Sequence, residues 1–336
     1  MIQLHIQKRE ALDALISFRE GEHKLGEHLH LCDSLNDIKE CKAHFVLFGI
    51  SEAIGVQANY GNTGTQKAWD SFLRAFVNVQ SNIHNPERSI LILGNITVTP
   101  KNPISKETSK KELGDYVARI DSKVALVVQT IISAGKIPII IGGGHNNALG
   151  NLQGAYQALQ TPINAINIDA HTDLRQPDYR HSGNGFRYAL ENKPKAFLNK
   201  YAIYGLHKNY TPQYIFEYMR THNKRIQYTL FEELLPISSK TERYTSKLDF
   251  VKGEAFGLEL DCDAMVDFSS SAQTPSGFAL NDVRQLIIET AQHKNCIYFH
   301  ICEAAPSKKN KTQVGKALSY LVTDFIRSYY EHHIVS

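Results

Sequence analysis

Two apolar runs that end in imidazole and carboxylate groups constrain this chain more than any other feature. The first, residues 137–141, reads Ile-Pro-Ile-Ile-Ile and leads into Gly142, Gly143, Gly144, His145, Asn146 and Asn147. The second, residues 164–168, reads Asn-Ala-Ile-Asn-Ile and leads into Asp169, Ala170, His171, Thr172 and Asp173. Short apolar runs bounded by glycine or polar residues read as strands buried on both faces. Pro138 opens its run, where a strand tolerates the missing N–H. Open parallel sheets place ligands beyond the carboxyl ends of such strands. Asp169, His171 and Asp173 also stand at i, i+2 and i+4, on one side of an extended backbone. Two acids and an imidazole converging there are costly without a cation, because like charges repel and unpaired charge resists desolvation. The spacing therefore predicts a metal site.

The rest of the chain supplies a frame for it. Residues 44–50, 89–94, 202–206, 225–229, 255–263 and 296–303 are further strand-like runs. Helical patterns separate most of them, notably at 113–135, 281–291 and 315–330. Gly135, with Pro138 three residues beyond it, is a fitting helix stop. Strands alternating with helices predict an α/β chain built on a mostly parallel sheet of about eight strands with helices on both faces. Residues 1–43 look polar and helical, with an amphipathic stretch at 11–16, and predict an N-terminal helical extension. Residues 44–336 read as a single domain, without repeat, linker or low-complexity tract. The three glycines of residues 55–65 mark a strand-to-helix loop, but they lack the spacing of a nucleotide-binding loop.

Composition excludes several functions. A formal charge of +3, from 37 basic and 34 acidic residues, gives no argument for nucleic acid or an anionic membrane. No apolar run approaches a membrane span. The N-terminal residues lack a basic stretch followed by an apolar core, so no signal peptide is expected. The five cysteines are odd in number and form no CxxC pair, which fits reduced thiols and a cytoplasmic location.

Asp261 and Asp263 end one later run two residues apart, and Glu303 ends another. With His145, Asp169, His171 and Asp173 they make seven ionisable groups at four strand ends. A lone aspartate there is usually a helix N-cap; the coincidence is what argues for metal. Cys262 alternates away from Asp261 and Asp263. A carboxylate-dominated set with two imidazoles suits manganese or iron over copper, with zinc or nickel admissible. Six ligands including four carboxylates suggest two ions sharing carboxylates, and a two-metal centre activates water for hydrolysis.

The segments Gly-Gly-Gly-His at 142–145, Asp-Ala-His-Thr-Asp at 169–173 and Asp-Cys-Asp at 261–263 resemble the metal motifs of the ureohydrolases: arginases, agmatinases and formimidoylglutamases. The resemblance spans residues 45–329 and implies a three-layer α/β/α sandwich with two Mn2+ ions per chain. It implies His145, Asp169, Asp173 and Asp261 on one ion. It puts His171, Asp169, Asp261 and Asp263 on the other, with Asp169 and Asp261 bridging. Glu303 resembles the family glutamate that holds the planar cationic group of the substrate, a bidentate pairing. Trimeric or hexameric assembly is expected by the same analogy, with a small molecule as substrate.

The branch is suggested by departures. Phe186 occupies the place of an arginase histidine that assists proton transfer, within Ser182, Gly183, Asn184, Gly185, Phe186 and Arg187. Arg175 replaces an arginase asparagine and suits a substrate with an extra carboxylate. Both features, with Asn59, Gly61 and Gly64 followed by Ala68 and Trp69, resemble formimidoylglutamases. The implied reaction converts N-formimidoyl-L-glutamate and water to L-glutamate and formamide, a step of histidine degradation. Glu303 would orient the amidinium and Asp173 relay a proton to the leaving nitrogen. Arg175, Ser182, Asn184 and Arg187 would bind the rest of the substrate. Asn146 stands where many members carry an acid and Glu259 where many carry serine; the loop after Asp263 also departs from the family pattern. Two alternatives follow: an arginase- or agmatinase-type guanidino hydrolase, or a non-catalytic metal-binding member.

Overall fold

The β-branched runs pair into one sheet in a computed structural model, which describes residues 1–85, 90–100, 104–105, 107–236 and 240–334. The strands are β1 (Ile2–Ile6), β2 (Phe45–Ser51), β3 (Ile90–Val98), β4 (Ile137–Ile141), β5 (Ile163–Ile168), β6 (Leu198–Leu206), β7 (Ile226–Leu230), β8 (Phe256–Asp261) and β9 (Cys296–Cys302). Their order in space is β1-β3-β2-β4-β9-β8-β5-β6-β7. Every pairing is parallel except β1 with β3, which is antiparallel. The expected strand at 89–94 lies in β3, except that Ser89 falls outside the described residues.

The helices are α1 (Arg9–Asp13), α2 (Leu25–His28), α3 (Ile54–Ala58), α4 (Ala68–Phe76), α5 (Lys110–Ser133), α6 (Asn147–Leu159), α7 (Gly185–Glu191), α8 (Gln213–Thr221), α9 (Lys240–Val251), α10 (Leu280–Ala291) and α11 (Lys311–His333). Strand alternation divides the core into two layers. Phe45 and Leu47 of β2 face a layer built with α4, α9, α10 and α11. Val46, Phe48 and Ile50 face one built with α5, α6, α7 and α8. Helices therefore cover both faces of a mostly parallel sheet, as the strand–helix alternation predicts. In α5 the Ser109 hydroxyl accepts from the Glu112 N–H at 3.2 Å, and Gly135 beyond its end takes φ +72°. These are the start and stop that Ser109 and Gly135 encode. No helix among the described residues is long and apolar enough to cross a membrane.

The N-terminal residues differ from the helical extension expected of them. Ile2, Leu4 and Ile6 alternate with more exposed neighbours, and β1 adds an edge strand to the sheet. Period-two burial of a short segment outweighs its polar composition. Of the amphipathic stretch at 11–16, only residues up to Asp13 are helical, with Leu12 buried.

Candidate metal centre

The sheet order builds the centre. β4, β9, β8 and β5 are four consecutive strands, and their carboxyl ends carry His145, Glu303, Asp261 with Asp263, and Asp169 with His171 and Asp173. Residues more than 150 apart in sequence thus meet, as between His145 and Glu303. The chain leaves β4 through Gly142 and Gly143, at φ +91° and +72°. A Cβ on Gly143 would stand 2.3 Å from Asn147 Nδ2. Only glycine accepts both the left-handed backbone and this close approach. Asp173 and Glu303 also take left-handed φ, +49° and +60°. That conformation is uncommon for residues bearing a Cβ and concentrates at functional sites.

His145 Nδ1 lies 3.3 Å from Asp169 Oδ2, 2.9 Å from Asp173 Oδ2 and 3.2 Å from Asp261 Oδ2. These four residues form one group with a ligand atom each within 4.8 Å of the others; His171, Asp261 and Asp263 form a second. His171 Nδ1 is also 3.5 Å from Asp169 Oδ1. Asp169 and Asp261 therefore lie between the two imidazoles. Backbone and side-chain donors aim the acids: His171 N–H to Asp169 Oδ1 at 2.6 Å, Asn167 Nδ2 to Asp169 Oδ2 at 2.8 Å and Asp263 N–H to Asp261 Oδ1 at 2.7 Å.

The electrostatics call for positive charge. Burial raises the pKa of Asp173, Asp261 and Asp263, and for Asp261 the neighbouring Asp263 and Asp169 add to it. Burial raises Asp169 too, but hydrogen bonds and charge from His145 and His171 hold it below the usual range. Glu303, buried and close to Asp263, is pushed up to about 8. Both ring nitrogens of His145, Asp173 Oδ2 and Glu303 Oε2 are buried without hydrogen-bond partners. Converging acids, imidazoles and unpartnered atoms of this kind fit a pair of divalent cations.

All six residues expected from the sequence to hold metal fall in these two groups, and Glu303 lies beside them. Its Oε1 accepts the His145 N–H at 2.6 Å. The substrate residues separate. Arg175 is exposed, its N–H donates to Gly183 O at 3.0 Å, and its side chain runs along Gly183. Ser182 Oγ accepts from Asn59 Nδ2 at 3.1 Å. Asn184 is fully buried and spent on the scaffold. Its Oδ1 accepts from Arg180 and from the His181 N–H, and its Nδ2 donates to Tyr179 O and Gln176 O. Arg187 is engaged elsewhere, 2.6 Å from Glu191 Oε1 and 3.4 Å over the Tyr218 ring, because helix periodicity turns it toward α8. Phe186 stacks on Tyr201 at 4.2 Å and meets the His145 ring edge-on at 5.2 Å.

Glu52, Arg180 and Cys302 escaped the sequence reading, and Glu259 was noted there only as a departure from the family pattern. Glu52 accepts from Gly144 N–H at 2.9 Å and Asn147 Nδ2 at 2.8 Å and fixes the turn that carries His145. Arg180 binds Asp121 through two nitrogens, at 2.8 and 3.1 Å, and also Asn146 O, clamping the segment before Ser182 onto α5 and α6. Cys302, paired in register with Asp261, offers a sulfur within 4.8 Å of His145 and Asp261. Glu259 lies 3.6 Å from His145 Nε2. The available signal for Glu259 was its i, i+2 relation to Asp261 within an otherwise apolar strand.

A family model described as the arginase family matches residues 43–327. Among curated relatives, a formimidoylglutamase of a Geobacillus species is 28% identical over 310 residues, 90% of this chain and 89% of that protein. Another, from Lysinibacillus sphaericus, is 25% identical over 308 residues, 88% of each chain. Among solved structures, Bacillus subtilis formimidoylglutamase superposes with a TM-score of 0.77 at 15% identity, covering 95% of this chain and 96% of that one. Trypanosoma cruzi formiminoglutamase with two Mn2+ ions gives 0.72 at 18% identity, covering 92% and 98%.

Proposed function

The chain belongs to the arginase family, and within it we propose a manganese-dependent formimidoylglutamase that hydrolyses N-formimidoyl-L-glutamate to L-glutamate and formamide. Two observations taken together carry the substrate assignment. A buried carboxylate oxygen without a partner, Glu303 Oε2, lies among the metal residues, while Arg175, exposed two residues past Asp173, has no ion pair among the described residues. The first suits a planar amidinium and the second a carboxylate. The names of the curated relatives support the same reading.

His145, Asp169, Asp173 and Asp261 would hold one ion, and His171, Asp169, Asp261 and Asp263 the other. Bound there, the manganese pair supplies Lewis-acid activation of water at neutral pH. Glu303 pairs through Oε2 with the amidinium N–H groups, while the His145 N–H holds Oε1 and fixes the carboxylate plane. Asp173, set by its left-handed backbone against His145 Nδ1, carries the proton to the departing glutamate nitrogen. Arg175 binds a substrate carboxylate, assisted by the Ser182 hydroxyl that Asn59 orients. Asn184 and Arg180 act behind them by holding the segment in place. The five unpaired cysteines support a cytoplasmic location, and a trimer or hexamer is the assembly expected from the family.

The test is a substrate panel on manganese-loaded protein. Formamide release from N-formimidoyl-L-glutamate, well above urea release from arginine or agmatine, is the expected result. Release no faster than in buffer with manganese overturns the assignment.

A further inference from the structure

Behind the metal cluster lies a fully buried polar group that the proposed chemistry does not use. Glu259 on β8 has no exposed surface. Its Oε1 accepts from Tyr298 OH at 2.8 Å and from Asn151 Nδ2 at 3.4 Å. Its Oε2 lies 2.6 Å from His300 Nδ1. His300 Nε2 in turn lies 3.3 Å from Gly142 O, so one linkage crosses β8, β9 and β4. The same Oε2 faces His145 Nε2 at 3.6 Å. That nitrogen is buried and has no hydrogen-bond partner. Nδ1 of the same ring faces the three aspartates.

We infer that Glu259, locked by His300, is the positioning residue for the metal ion on the His145 side. The inference rests on the two-ion reading above. An imidazole that binds metal through Nδ1 must carry its proton on Nε2. Ligand histidines give that proton to a carboxylate, carbonyl or water, which fixes tautomer and ring orientation and raises basicity. Here the carboxylate at that nitrogen is Glu259. The His300 contact on the same oxygen holds Oε2 in place facing His145. A buried carboxylate in the middle of a sheet is costly unless each oxygen is paired, so an apolar residue would serve packing better. The arrangement is one-sided. Among the described residues His171 pairs only with Asp169 and Asp263, both in the ligand set, and its ring stacks on Tyr210 at 5.2 Å. Glu259 therefore acts on one ion and not on the other.

The experiment titrates metal-free protein with Mn2+ and follows the free ion by electron paramagnetic resonance, without substrate. Glu259→Gln, nearly isosteric, should weaken one of the two sites by about 10- to 100-fold and leave the other unchanged. Tyr298→Phe removes a hydrogen bond to the same carboxylate away from His145; it should lower thermal stability and leave both affinities unchanged. His300→Gln frees Glu259 to turn and should weaken the same single site, which also decides the matter if Glu259→Gln fails to fold. Unchanged affinities in Glu259→Gln or His300→Gln overturn the inference. Equal weakening of both sites, shared by Tyr298→Phe, also overturns it and marks a packing role. Wild-type protein that binds fewer than two ions overturns the two-ion reading and this inference together. Absent formamide release with intact site-selective binding overturns only the substrate assignment.

Discussion

Glu303 divides its two oxygens between scaffold and site: one is held by the His145 N–H, the other is buried without a partner. Glu303→Gln keeps the shape and removes the charge proposed to face the amidinium. Losing such a preorganised electrostatic contact costs roughly 2.7–4 kcal/mol, so kcat/KM should fall by about 100-fold or more with bound manganese unchanged. Steady-state kinetics beside metal analysis checks this; loss of metal in step with activity would move Glu303 into the metal-holding set. If Arg175 binds the substrate carboxylate as proposed, Arg175→Asn removes a charged hydrogen bond of about 1.5–3 kcal/mol and should raise KM about 10- to 100-fold with kcat little changed. An unchanged KM removes Arg175 from the substrate site. At this scale the candidate ligand cluster was legible from the close spacing of Asp169, His171 and Asp173, but β5 ends at Ile168 and Asp173 takes φ +49°, so a turn rather than extended alternation places the three side chains. Asn184 and Arg187 were misread because sequence does not reveal the competing partners. Asn184 is saturated by Arg180 and backbone carbonyls, and Arg187 by Glu191 and Tyr218.

The eight parallel-sheet strands were legible as apolar runs, and the stop at Gly135 as a helix end, because both are local signals. Three element-level features were not. β1 is short and polar on its open side, so only its alternation betrays it. The insertion of β8 and β9 between β4 and β5 is decided by crossovers that span most of the chain, and no local pattern encodes it. The segment 175–184 is another case: only Ser182–Asn184 forms a short 3-10 turn, and the rest is held by Arg180, Asp121 and His181. His181 Nδ1 accepts from the Gly183 N–H at 3.1 Å, and burial together with the Arg180 charge lowers its pKa from 6.5 to about 4. A depressed folded-state pKa means that the unfolded chain binds the extra proton first. The contribution is then complete above pH 6.5 and is lost as pH falls from there to about 4. His181→Asn keeps an acceptor for Gly183 and does not titrate. Thermal unfolding of this variant should depend less on pH than the wild type across that window. Parallel profiles would show that His181 does not report on the segment.

Taken as a whole, the fold collects its least favourable electrostatics at one edge of the sheet and depends on bound cations to offset them. Asp173 and Asp261 have pKa values raised mainly by burial, and Glu303 is raised to about 8. His171 rises from 6.5 to about 10: burial opposes this, but the Asp169 hydrogen bond and charge outweigh it. In metal-free protein every one of these raised groups binds its proton more tightly folded than unfolded. Their contribution is therefore present at low pH and lost as pH climbs; for His171 the loss runs from 6.5 through about 10. Metal acts in the opposite sense. Ligand imidazoles must be neutral and ligand acids ionised, so manganese binding strengthens as pH rises. Free metal at 100 times its dissociation constant stabilises by about 2.7 kcal/mol per site. The gap in unfolding temperature between manganese-loaded and chelator-treated protein should consequently widen between pH 6.5 and 9, a window within the His171 shift. Calorimetry at a fixed excess of metal measures that gap. A gap that stays constant or narrows would mean that the buried acids and imidazoles are not what the cations neutralise.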